Sequence, residues 1–315
     1  MLSRRLIRVK VFKILFGRIV AGSDSLVGAE NELIASCEKT LDLYCFMLQL
    51  PVALKRVAEA KIETGLKKFK PTAEEANPNR KFVENKFVEI LENDAKFTKF
   101  CESRGLLWAE HDSFVKKLYA TISSSDYFAE YMSNPDRSIK EDLSLFRKIY
   151  EQELEDNTYL EDILEELSLF WMDDLGYVLG IILKNIGTIA KTGTVAIPEV
   201  FQNDDDKAYA KKLLTQSMVK YDEYTKLISD FVSNWDMERL VATDLALIVM
   251  GITEAVTFET IPLKVTINEF VDISKYYSTA NSRVFVNGLL DRVLQKMYKD
   301  GTIVKSGRGL VGSVE

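Results

Sequence analysis

Basic side chains at helical spacing carry what chemistry this sequence has to offer. In "RRLIRVKVFK" (residues 4–13), Arg4, Arg5 and Arg8 fall within one arc of about 100° on an α-helix, with Lys10 and Lys13 on a separate flank. Near the other end, in "NSRVFVNGLLDRVLQKMYKD" (281–300), Phe285 stands within about 40° of Arg292, Lys296 and Lys299. Val286, Leu289, Leu290, Val293 and Met297 form a separate apolar stripe, which must face a core. Phe285 is off that stripe. Cations pair with phosphates and an exposed ring stacks on a base, so the combination suits single-stranded nucleic acid. The alternative is that Phe285 packs on a neighbouring helix and the charges only solvate a surface. Gly288, inside the same helix, costs about 1 kcal/mol relative to Ala, which a close neighbour or a ligand would explain.

Other chemistry is poorly supplied. His111 is the single histidine, which removes most His-based acid–base, triad and metal schemes. Neighbouring acids such as Asp173–Asp174 and Asp204–Asp206 point in different directions along a helix and read as caps or solvated charges. "GRGLVG" (307–312) matches a dinucleotide-binding fingerprint in letters only, because only three residues follow it where a helix and a distant acid are needed. No enzyme, cofactor or metal site is expected. Cys37, Cys45 and Cys101 form no C-x-x-C pair and leave one over, which points to a reducing compartment and to small core residues.

The net charge of −7 hides an asymmetry: residues 1–20 carry +6, residues 283–308 carry +4, and the remainder carries −17. Two basic ends meeting in space would make one compact anion site. The opening is not a secretory signal, since its longest charge-free run is Ile14–Gly17, and no segment is long and apolar enough to span a membrane. A cytoplasmic protein without membrane contact is expected.

Helical periodicity must position these groups. Leu26–Leu50, Pro51–Phe69, Lys81–Cys101, Ser138–Leu154 and Met172–Ile186 repeat apolar residues at steps of three and four, and 206–219, 222–233, 236–257, 262–276 and 282–299 continue the pattern. Val265, Phe270 and Ile273 mark a core face on 262–276, with Asn268 and Glu269 as structural hydrogen-bonders. Period-2 alternation is nearly absent; "TVAIPEVF" (194–201) reads as a loop. Linkers are predicted at 69–81 and 191–207. Segments 93–114, 156–177 and 221–240 echo one another, each opening near an Asp and carrying a Trp (Trp108, Trp171, Trp235) before a second helix.

Four stretches, "RRLIRVKVFKILF" (4–16), "NWDMERLVATDLALIVMGITEA" (234–255), "IPLKVTINEFVDISKYYS" (261–278) and "SRVFVNGLLDRV" (282–293), resemble, in order, the NusB family of transcription antitermination factors. The resemblance covers roughly 1–22 and 203–300. It implies an all-α, NusB-like helical bundle that binds RNA without catalysis, with a large helical insertion of unknown role at 23–202 and a flexible tail at 301–315. It also implies binding of boxA-type single-stranded RNA together with NusE, a small-subunit ribosomal protein, in the RNA polymerase antitermination complex on ribosomal RNA operons. Carried onto this sequence, Arg4, Arg5 and Arg8 match the family's basic RNA-contacting motif, and Phe285 its aromatic near the start of the last helix. Lys13, Arg292, Lys296 and Lys299 extend that surface, and Asp244 is the candidate for the NusE face. Val9, Lys13 and Asn281 depart from the family pattern. The alternative is a helical protein–protein scaffold on the same fold, with RNA binding incidental.

Overall fold

The computed structural model describes residues 1–232 and 241–311, which form fifteen α-helices and no strand. Helices α1 (Arg4–Ala21) and α2 (Leu26–Leu66) open the chain. Shorter ones follow: α3 (Ala73–Ala76), α4 (Lys86–Asn93), α5 (Ala95–Ser103), α6 (Asp112–Ser123) and α7 (Asp126–Ser133). Next come α8 (Ile139–Gln152), α9 (Thr158–Leu167), α10 (Leu175–Thr192), α11 (Asp204–Val219) and α12 (Tyr221–Ser229). The last are α13 (Ala242–Thr257), α14 (Leu263–Tyr277) and α15 (Ser282–Lys299). Two compact units result, Met1–Cys37 with Val200–Glu315, and Glu38–Glu199, and the division falls inside α2. The resemblance sets the boundaries at 22 and 203, so the start of α2 sits with the first unit.

In the first unit α13 is the central rod. Ala246 through Ile252 and Ala255 are buried on every side, as a helix apolar all round must be. Helices α1, α11, α12, α14 and α15 surround it. Ser3 caps α1 by accepting the Leu6 amide, and Gly22, at φ 61°, ends it in a left-handed turn that suits glycine. On α14 the core residues are Thr266, Phe270, Val271, Ile273 and Ser274, while Val265, expected inside, is 41% exposed.

The tail expectation is corrected for its described part. Ile303 is buried, and Lys305 Nζ donates to the Ala255 and Phe258 carbonyls at 2.8 and 3.0 Å, capping the end of α13. The Ser306 amide donates to Glu259 O. A lysine that satisfies orphan helix carbonyls holds this segment down, and composition does not reveal that.

The second unit is organised on α2. The sequence divides this helix at Pro51, yet it runs through. Proline removes the amide that would serve Met47 O, and the Tyr150 hydroxyl donates to that carbonyl at 3.0 Å instead. Trp108 Nε1 donates to Phe46 O at 2.8 Å and Trp171 Nε1 to Lys39 O at 2.6 Å, with both indoles stacked against Phe46. Two of the echoed segments therefore share one layout: a capped helix (Asp94 before α5, Asn157 before α9), a 3-10 turn bearing the Trp, and a second helix. Trp235 of the third lies outside the described residues. The helix expected over Lys81–Cys101 is two, because the Asn85 and Asp94 side chains each accept amides that begin a new helix. All three cysteines are buried and none is in a disulfide among the described residues. Among the described residues no helix is long and apolar enough to cross a membrane.

Candidate nucleic-acid interface

The opening arginines are held by acids from three other helices of the first unit. Arg4 Nε bonds Asp206 Oδ1 of α11 at 2.8 Å, with the guanidinium also over the Tyr209 ring. Arg5 makes a fork on Glu269 of α14 (3.0 and 2.9 Å) and reaches Asp272 Oδ2 at 3.0 Å. Both remain accessible, their side chains 43% and 56% exposed.

Arg8 differs. It is buried, and its Nε donates to Glu254 Oε1 at 2.6 Å, with Glu269 also in reach. The Tyr209 hydroxyl donates to the same Glu254 oxygen and Thr266 Oγ1 to the other at 2.7 Å. Burial pulls the Arg8 pKa down, but Glu254, with Tyr209 and Glu269, outweighs it and the group ends above its usual value. Burial and the Glu254 charge push the Tyr209 phenol well up, so it remains a donor. Arg8, expected among the RNA contacts, is therefore corrected to the central cation of a buried network, because Glu254 at the heart of α13 requires a counter-charge.

Lys13 is half-buried with its ammonium 5.6 Å from the Tyr277 ring, which in turn packs on Phe12. On α15 the apolar stripe is buried as read, and Phe285 is half-buried at its edge. Arg283, Arg292, Lys296 and Lys299 are all exposed. Lys296 lies 5.1 Å from the Phe231 ring, and none of the four has an ion pair among the described residues. A Cβ added at Gly288 would meet nothing within 4 Å, so this glycine is not kept for packing and leaves bare backbone on the exposed side of the helix.

Asp244, the candidate for the NusE face, is held inside the first unit. It is buried and accepts from Ser278 Oγ at 2.5 Å and Ser282 Oγ at 2.7 Å, joining the start of α13 to the α14–α15 turn. The hydroxyls of two helix ends converge on one carboxylate, and that clasp sets where Phe285 stands, one turn into α15. Ser282, a candidate cap for α15, is used there instead.

Sequence reasoning marked Glu269 as a structural hydrogen-bonder but missed Asp206, Glu254 and Asp272 as counter-charges of the arginines. Glu269 and Asp272 share a helix face at i, i+3, a visible signal, but nothing local marks Asp206 or Glu254 as their companions. It also missed Tyr276, 83% exposed at the end of α14 beside the buried-side Tyr277.

The comparisons agree with this architecture. A model described as the NusB family matches residues 194–295, the stretch that holds α11 to the middle of α15. The transcription antitermination protein NusB of Salinibacter ruber is 34% identical over 111 residues, which cover 35% of this chain and 69% of that protein. The chain belongs to the NusB family. NusB proteins of Thermodesulfovibrio yellowstonii and Chloroherpeton thalassium are 37% and 33% identical over 95 and 124 residues. Those matches cover 30% and 39% of this chain, and 63% and 59% of the relatives. No solved structure matches. NusB factors are non-enzymatic, and residues 1–193 of this NusB-family chain lie outside the family match.

Proposed function

We propose that this protein is a cytoplasmic transcription antitermination factor that binds boxA-type single-stranded RNA together with NusE and supports transcription of ribosomal RNA operons. The observation that carries the reading is the exposed side of α15. Arg283, Arg292, Lys296 and Lys299 are free of ion pairs among the described residues and share a helix with half-buried Phe285 and the open backbone at Gly288. A ring for stacking and cations for phosphates are what single-strand binding uses. Arg4 and Arg5 would join only by exchanging Asp206, Glu269 or Asp272 for phosphate, so they are secondary contacts here.

The test is fluorescence anisotropy of a labelled boxA-like RNA and a scrambled one, with and without NusE, across a salt series. If the four α15 cations each meet a phosphate, log affinity falls against log salt with a slope of roughly −2.8, at about −0.7 per contact. Phe285→Ala should lose about 1–3 kcal/mol. Equal binding of the two RNAs with NusE present, by folded protein, would refute the reading.

A further inference from the structure

The second unit holds an open groove of about 830 Å³ that none of the above uses. One wall is the later half of α2, whose lining positions run from 49 to 65 in steps of three and one, the side of a helix over about 24 Å, with Lys68 just beyond its end. The other wall is the 107–120 segment, where Trp108, Asp112, Val115, Lys116 and Tyr119 repeat at three and four. Its floor is apolar, with Val52, Val57 and Val115, and Ala53, Ala60 and Ala120 leave room for backbone to come close.

The charges say what kind of occupant fits. The two acids of the groove are already used: Glu75 pairs with Lys68, and Asp112 with Lys116. Arg56 has no ion pair among the described residues, and Lys61 reaches across to the Tyr119 ring at 5.7 Å without one. Two uncompensated, exposed cations thus border an apolar floor, and the lining is net basic although residues 38–199 together sum to −8. That local positive rim attracts a short acidic segment, and the apolar floor suits the side chains of a helix rather than a phosphate backbone.

We propose that this groove docks an amphipathic helix of a partner protein, apolar at i, i+3/i+4 and i+7 and acidic along the flank that meets Arg56 and Lys61. Helix-in-groove recognition needs these elements: a slot beside helix faces, an apolar floor for the anchors, and charge to fix direction. The insertion would then be the part of this protein that recruits a partner, whatever the first unit binds.

The probe is a fluorescein-labelled 18-residue peptide with leucines at positions 2, 5, 6, 9, 12, 13 and 16, glutamates on both flanks and alanine elsewhere. Its control carries lysine for every glutamate, and both are titrated against the full chain. The glutamate peptide is expected to bind, more weakly as salt rises, and the lysine peptide at least tenfold less well. Arg56→Glu with Lys61→Glu, and separately Ala60→Trp, which fills the groove from an exposed position, should each weaken binding at least tenfold while thermal unfolding stays unchanged. No binding of the glutamate peptide, equal binding of the lysine peptide, or undiminished binding by the variants would overturn the proposal. So would loss of RNA binding in the Arg56→Glu, Lys61→Glu protein, since the groove would then serve nucleic acid.

Discussion

Replacing Arg8 by methionine separates a buried structural cation from an RNA contact. The Arg8 and Glu254 side chains are 4% and 0% exposed and meet at 2.6 Å, so removing the guanidinium leaves a carboxylate inside α13 with only the Tyr209 and Thr266 hydroxyls. Breaking a buried pair from one side costs about 3–5 kcal/mol, because the abandoned charge stays desolvated. The Arg4–Asp206 pair is only part-buried, with the Arg4 side chain 43% exposed, so Arg4→Met should cost less than Arg8→Met. Hydrogen-exchange mass spectrometry on peptides covering residues 4–16 and 246–257 reads the first unit by itself, which matters because two units need not unfold together. At about 1.4 kcal/mol per tenfold, Arg8→Met should lower protection there by roughly two to nearly four powers of ten. Arg8→Met with Glu254→Met should retain more stability than Arg8→Met alone, since the double change removes both charges. RNA affinity per folded molecule should not change. A stably folded Arg8→Met that loses tenfold or more in RNA affinity would refute this argument and return Arg8 to the RNA face.

Three other outcomes are specific enough to check. Burial lowers the Lys305 pKa to about 8, against the pull of Glu254 and Glu259. The unfolded chain therefore binds more protons between that value and the usual 10.5, and stability should rise as pH climbs from about 8 toward 10. Urea midpoints at about pH 7.5, 8.5 and 9.5 should show that rise in the parent and not in Lys305→Met. Tyr150→Phe leaves Met47 O without its donor at the Pro51 gap and should cost about 1–3 kcal/mol, read as a lower melting temperature. Gly288→Ala, in open space on a helix, should stabilise by about 0.5–1 kcal/mol. If RNA affinity falls in that more stable variant, the nucleic acid comes close to the backbone at 288; an unchanged affinity puts Gly288 outside the RNA surface.

Helices were legible wherever one apolar stripe recurred at three and four residues, and α15 shows how far this goes. Its buried side, its exposed cations and the marginal place of Phe285 all follow from 100° per residue. The same arithmetic put Arg4, Arg5 and Arg8 on one arc but could not separate them, because burial depends on what stands opposite. Glu254 is 246 residues from Arg8, and only packing α1 on α13 makes one of three arginines interior. Asp244 is a second case: the sequence offers it as the candidate for the NusE face, and it is buried because Ser278 and Ser282 turn toward it. Pro51 is a third, since local rules break a helix there and a tyrosine 99 residues later supplies the missing donor.

By itself, then, the sequence determined an all-helical chain of the NusB family, basic at both ends, with cations and one aromatic sharing a side of its last helix. Those properties depend on residue type and near-neighbour spacing, which a linear chain contains in full. The tertiary structure alone decided which cations remain available, that the segment after α15 is pinned by Lys305, and that the inserted helices enclose a groove with two unpaired bases. Each depends on the partner a group meets across tens to hundreds of residues, because neutralisation, desolvation and enclosure are properties of neighbours in space.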